Sequence, residues 1–153
     1  MKNRPIISKT ENEAVIRKCQ TCSIAMVDPE GKPYVIPMNF GYADDHVYFH
    51  GSAKGKKVDV LKNQSDVCIS FTTDHELRYV TEEVACSWSM RYRSVLVYGK
   101  AIFVVDPEEK INILNVFMAH YTDRKFEYND PAIREVMVFK VKVDKMDGRI
   151  YGY

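Results

Sequence analysis

Three short segments carry side chains of the kind that hold small anionic or flat ligands. The first is Tyr48-Phe49-His50-Gly51-Ser52-Ala53-Lys54-Gly55-Lys56-Lys57. It reads as a strand end, a glycine-rich turn and a helix start. Such a junction leaves backbone N–H groups unpartnered at the helix N-terminus, where an anion is favoured. Ser52 adds a hydroxyl, and Lys56 or Lys57 adds charge. It is not a P-loop, because Gly51 and Gly55 are separated by three residues and Lys56 is followed by Lys57 rather than Ser or Thr. A solvated basic turn would have the same composition. The second segment is Pro37-Met38-Asn39-Phe40-Gly41-Tyr42. Proline within a strand marks an edge or a bulge. An edge offers backbone donors and acceptors to which a flat heterocycle could pair, although a merely blunted edge looks the same. The third is Ser87-Trp88-Ser89-Met90-Arg91-Tyr92-Arg93-Ser94-Val95. Its arginines and hydroxyls suit a phosphate or a solvated rim.

Other chemistry is absent from the pattern. Cys19-Gln-Thr-Cys22 has no second pair at zinc spacing, and it joins a helix end to a strand start, the reverse of a thioredoxin-like order. Cys19, Cys22, Cys68 and Cys86 therefore read as plain thiols, reduced in a cytoplasm. His46 and His50 are four apart on a strand, roughly 13 Å, too far to share a metal. No metal site is expected. No G-x-G-x-x-G fingerprint occurs.

The elements that must position these segments read as follows. Thr10 and Glu13 form a capping box for a helix over 11–19, with Ala14, Val15, Ile16 and Cys19 inward. Strands are expected over 22–27, 32–42 and 46–50, joined as an antiparallel meander. A helix follows over 56–63, with Val58 and Leu61 on its inner face. Further strands cover 67–72, 91–105 and 136–143. Asp106-Pro107-Glu108-Glu109 starts a helix whose inner face is Ile111, Leu114, Phe117, Met118 and Tyr121. Residues 123–132 read as polar loop, residues 1–10 as an N-terminal arm, and 74–86 carries no assignable role. Adjacent strands with three helices predict one domain over 1–153, a mainly β antiparallel barrel with peripheral helices.

Composition sets bounds. Lys plus Arg is 22 against 21 for Asp plus Glu, a net charge of +1, which is too small for a general nucleic-acid binder. The longest apolar run, Ala101 to Val105, is far short of a membrane span, and no signal peptide is visible. A cytoplasmic protein is expected. Ten Tyr, seven Phe and one Trp favour sheet or the wall of a flat-ligand site.

Taken together, the three segments resemble the pyridoxamine-phosphate-oxidase-like flavin-binding split barrels. The supporting pieces are Pro37 to Tyr42, Tyr48 to Ser52 with Gly55-Lys56-Lys57, and Tyr92-Arg93-Ser94-Val95 with Gly99-Lys100-Ala101. The chain is similar in particular to the branch associated with 5-nitroimidazole resistance, and Val143-Asp144-Lys145-Met146-Asp147-Gly148-Arg149 resembles that family's closing segment. The resemblance implies a six-stranded FMN-binding split barrel that dimerises with flavin at the subunit interface. Pro37, Met38, Asn39 and Phe40 would lie along the flavin ring. His50, Gly51 and Ser52 would flank the ribityl phosphate, with Lys56 and Lys57 as its cations, and Arg93 and Ser94 would close the site. His50 also matches a histidine implicated in catalysis in that branch.

The expected activity is flavin-dependent reduction of small flat acceptors such as 5-nitroimidazoles, with FMN as cofactor and FAD as the alternative. A flavin- or haem-binding store or sensor without turnover is the competing expectation. Pyridoxamine-phosphate oxidation itself is not expected, because that branch's substrate residues have no match. The expected partners are a second copy of the chain and a small acceptor, without nucleic acid or membrane.

Overall fold

The computed structural model describes residues 3–153. The first helix, α1 (Lys9–Lys18), is capped by Ser8, whose Oγ accepts from the Glu11 N–H at 3.4 Å. The expected Thr10–Glu13 box does not form. Glu13 instead accepts from the Tyr42 hydroxyl at 2.9 Å and pairs with Arg17. Asn12, Val15 and Ile16 face inward, joined by Cys19, while Ala14 is exposed. Asn12 can lie inward because Gly148 has no side chain: a Cβ there would stand 1.8 Å from Asn12 Oδ1.

Strands β1 (Asn3–Ile6), β2 (Cys22–Val27) and β3 (Pro33–Met38) belong to one half of the sheet. β2 and β3 form a hairpin, closed by Asp28 Oδ1, which accepts from the N–H groups of Glu30 and Lys32. The single strand expected over 32–42 is broken. After Met38 the chain leaves β3, crosses at Asn39–Phe40 and enters β4 (Gly41–Ala43). The expected meander survives as two antiparallel hairpins, β2–β3 and β4–β5 (His46–Gly51), separated by the break; β5 pairs on its other side with β8 (Met137–Lys142) rather than with β3.

The helix α2 (Lys56–Asn63) forms as the sequence predicts, with Val58, Val60 and Leu61 buried. It leads into β6 (Asp66–Arg78), which pairs with β7 (Ser89–Val104). β7 is the spine: its first half pairs with β9 (Lys145–Tyr151) and its second half with β8. The strand order is β3-β2-β6-β7-β8-β5-β4, with β9 against β7 and β1 against β9. Among the described residues β3 and β4 are edges that do not pair with each other, so the antiparallel barrel is open. It has nine strands rather than six, because β1, β4 and β9 are separate elements.

The helix α3 (Pro107–Ala119) starts at Asp106, whose Oδ2 accepts from the Glu109 N–H at 2.8 Å. It ends at Ala119, before Tyr121 of the expected inner face, and its buried face is Lys110, Ile113, Leu114 and Phe117. Lys110 displaces the expected Ile111 and Met118 because its ammonium has partners inside. It donates to the carbonyls of Ile133 and Val136 at 3.0 and 2.7 Å. Those carbonyls end α4 (Asp130–Glu135), a short helix capped by Asn129 where a loop was predicted.

The core is largely aromatic. Phe40, Phe49, Phe71 and Phe139 are fully buried, and the Phe49 and Phe139 rings stack at 4.8 Å. All four cysteines are free; Cys19 and Cys22 are buried, and burial pushes their thiols up to about 11 and about 12. No helix among the described residues is long and apolar enough to cross a membrane.

Candidate functional site

The crossover from β3 to β4 creates a pocket of about 370 Å³ at the split of the barrel. Ile36, Pro37, Met38 and Asn39 form one side. His50 from β5, Lys57 from α2 and Phe117 from α3 form the other. The volume lies within the range of about 300–1,000 Å³ usual for small-molecule sites.

The β3 side has a definite hydrogen-bonding character. Pro33 and Pro37 have the same parity, opposite Val27 and Ser23 of β2. Neither has an N–H to give the ladder, so the bonded pairs are those of Tyr34, Ile36 and Met38. Pro33, Val35 and Pro37 therefore turn their backbone groups outward. That edge offers their carbonyls and the N–H of Val35 alone, so it is acceptor-rich toward a bound donor.

The opposite side has cationic character. The N-cap of α2 is Gly55 at φ +117°, a backbone that favours glycine, and it makes no side-chain cap bond. The helix start is therefore open to an anion. The Lys57 ammonium lies across Gly51, where a Cβ would stand 3.1 Å from Nζ. Burial lowers the Lys57 pKa. The half-buried His50 ring meets Phe117 edge-on at 4.4 Å. Burial, and then the Lys57 charge, hold its pKa below the ordinary 6.5. Both effects favour the neutral imidazole over the imidazolium.

The crossover is held by the C-terminal turn of α3. Gly41 lets that helix approach, since a Cβ there would be 2.7 Å from Phe117 Cα. The Tyr121 hydroxyl accepts from the Phe40 N–H at 3.0 Å, which has left the sheet, and donates to the Gln20 carbonyl at 2.8 Å. His120 Nε2 donates to the Cys19 carbonyl at 2.7 Å.

Of the residues predicted for the site, Pro37, Met38, Asn39, His50 and Lys57 line this pocket, and Gly51 lies beneath the lysine. Phe40 is buried against Phe71 and His120. Ser52 is exposed and accepts from the Lys54 N–H at 3.2 Å. The Lys56 ammonium turns to Asp28 at 3.4 Å and lies over the Tyr34 ring, so it does not join Lys57. Arg93 is paired with Asp74 at 2.6 Å on β7, and Ser94 sits opposite Thr72 and Arg149 in the sheet; neither lines the pocket of its own chain. Phe117 and Ile36 were not anticipated as lining. The available signal was Gly41, a glycine in a strand where another backbone approaches closely. No group of three or more His, Cys, Asp or Glu among the described residues could hold a metal.

An open antiparallel barrel with a pocket at its split and a basic helix start beside it is the architecture of one class of proteins. Residues 8–150 match the family model described as pyridoxamine 5'-phosphate oxidase, and the chain belongs to that family. Among solved structures it is similar to a candidate 5-nitroimidazole antibiotic resistance protein from Bacteroides thetaiotaomicron. That pair shares 42% identity over 97% of this chain and 87% of the other, with a TM-score of 0.88. The fold is shared with the FAD and heme binding protein from Mycobacterium smegmatis (17% identity, 97% and 74% covered, TM-score 0.85). It is also shared with the flavocytochrome Anf3 from Azotobacter vinelandii (21% identity, 99% and 70% covered, TM-score 0.83). No curated protein matches the chain.

Proposed function

We propose that this protein binds FMN in the pocket at the barrel split and, as a homodimer, reduces small flat acceptors such as 5-nitroimidazoles. The observation that carries this reading is the Lys57 ammonium laid over Gly51 beside the uncapped start of α2. A phosphate monoester carries nearly two charges and needs a cation and several donors in one place. The acceptor edge of β3 suits the imide N–H of a flavin ring, and Met38 and Phe117 supply apolar contact.

A bound flavin supplies the redox chemistry, from a reduced nicotinamide or similar donor to the acceptor. The chain positions and shields. Lys57 fixes the phosphate, Pro37 to Asn39 orient the ring, and Phe117 limits the depth of the pocket. His50, held neutral and steered by Phe117, keeps an N–H available to an acceptor on which negative charge develops. Arg93 and Ser94 complete the site from the second copy. The unpaired thiols accord with a cytoplasmic location.

The test is the visible spectrum of the purified and FMN-reconstituted protein, followed by anaerobic turnover with a 5-nitroimidazole. Flavin bands with reoxidation by the nitro compound are expected. Absence of flavin uptake would refute the reading. The neutral imidazole of His50 favours one other reading, a flavin or haem carrier without turnover, since haem iron takes a neutral histidine. A Soret band, or bound flavin that no nitro compound reoxidises, would select it.

A further inference from the structure

Lys110 of α3 is the one buried lysine among the described residues, 8% exposed. Its ammonium donates to the carbonyls of Ile133 and Val136 at 3.0 and 2.7 Å, with that of Arg134 at 3.5 Å. These bonds engage its protons and leave its charge. Among the described residues no carboxylate pairs with it, and Glu109, beside it in sequence, is held by Lys140. A buried charge calls for an opposite charge, and neutral carbonyls offset only part of its lost hydration.

The same side chain lines a cavity of about 230 Å³ where α2, α3 and α4 meet the end of β7 and the start of β8. The cavity shares no lining residue with the pocket at the barrel split. Its wall is apolar, with Val58, Phe103 and Val136. Its rim is charged. Lys62 and Arg134 are exposed there, and among the described residues neither side chain has an ion pair. Glu135 is the one acid on the rim. Three cations thus converge on an apolar space against one carboxylate, and the local field favours an anion.

We propose that this cavity binds a small organic monocarboxylate. Its apolar body lies against Phe103 and the valines, and its carboxylate lies between Lys62 and Arg134, where it opposes the Lys110 charge. The donors left free select this chemistry. Lys110 has committed its protons to carbonyls, so hydrogen bonds come from Lys62 and from the Arg134 fork, which matches a carboxylate bidentately. A phosphate dianion needs more donors than that in one place. A bare inorganic ion gains nothing from the apolar wall. The volume lies below the roughly 300–1,000 Å³ of sites for drug-sized ligands and limits the body to about one ring. The site is independent of whatever occupies the barrel split.

The probe is benzoate, titrated into the full chain by isothermal calorimetry, with benzamide as the uncharged ligand of the same shape. Saturable benzoate binding is expected, with benzamide weaker by about 10-fold or more. Arg134→Gln should weaken benzoate binding by about 10-fold, and Glu135→Gln should tighten it. Both side chains are exposed, so the far-UV circular dichroism of the two variants should match that of the parent. Lys110→Met should erase the preference for benzoate over benzamide; if it does not fold, the two rim variants still decide. Saturation with FMN should leave benzoate binding as it is. No benzoate binding at millimolar concentration, equal binding of benzamide, insensitivity to Arg134→Gln, or no tightening by Glu135→Gln overturns the proposal. So does competition between benzoate and FMN, which would put the benzoate at the barrel split.

Discussion

The pocket wall and the β6–β7 arm are built on opposite terms. At the crossover, the Phe40 N–H freed by the break in β3 finds the Tyr121 hydroxyl, and His120 ties the same helix end to the Cys19 carbonyl at the end of α1. In the arm, residues 76–91, Tyr79 and Trp88 stack on each other and Trp88 bonds to the Glu82 carbonyl, but Leu77, Val80, Val84 and Met90 stay exposed. The crossover is held by bonds within one molecule. The arm has the order of a finished element without its burial. Mutations should therefore act on fold and ligand at the pocket, and leave the fold nearly unchanged at the arm.

The largest effect should come from Lys57→Ala. Removing a charged hydrogen bond of about 1.5–3 kcal/mol weakens FMN binding by about 10- to 100-fold. Riboflavin, which lacks the phosphate, should bind both forms alike in a fluorescence titration. Equal loss for both ligands would put the phosphate elsewhere.

Next is Gly41→Ala. Its Cβ would meet the backbone of Phe117, so α3 must shift, at about 1–3 kcal/mol. Each kcal/mol should lower the melting temperature by about 2–4 °C in a chain of this size. An unchanged melting curve would mean that the crossover is softer than the packing implies.

Tyr121→Phe leaves the Phe40 N–H without its acceptor and should cost about 1 kcal/mol by urea denaturation. It tests the same staple by chemistry rather than by volume.

A smaller effect is the pH dependence contributed by His50. Its folded pKa lies below the unfolded 6.5, so the unfolded chain binds more protons between the two values. Stability from this group is complete above pH 6.5 and is lost as the pH falls toward the folded pKa. His50→Gln should flatten that part of the stability profile. FMN phosphate, by offsetting the Lys57 charge, should shift the His50 titration upward when followed by NMR.

The smallest effect belongs to the arm. Val80→Ser should change monomer stability by less than about 0.5 kcal/mol, because the side chain is already in solvent. A larger loss would show that the arm is folded onto its own chain, and the contrast between the two regions would collapse.

Much of this architecture is readable from local chemistry. The span of α2 follows from the Gly55 break and the spacing of Val58 and Leu61. The Asp106–Pro107–Glu109 start of α3 is equally local. Illegible features depend on distant partners. Thr10 looks like a cap as good as Ser8 until Tyr42 claims Glu13. Lys110 reads as a surface residue until the end of α4 supplies carbonyls for it. Lys56 and Lys57 are adjacent and alike, and only Asp28 and Tyr34 draw the first away from the pocket. Pro37 to Asn39, His50 and Lys57, singled out from the sequence, fall in one pocket while Arg93 and Ser94 do not, and the contact of Phe117 with His50 required the fold.

The two prolines of β3 have a consequence beyond the single molecule. Donors are missing at Pro33 and Pro37, so the free edge of the sheet cannot receive another strand in register. Filament growth by strand addition stops there. In a crowded cell the chain stays available for side-chain-mediated pairing while this edge is inert toward endless polymerisation.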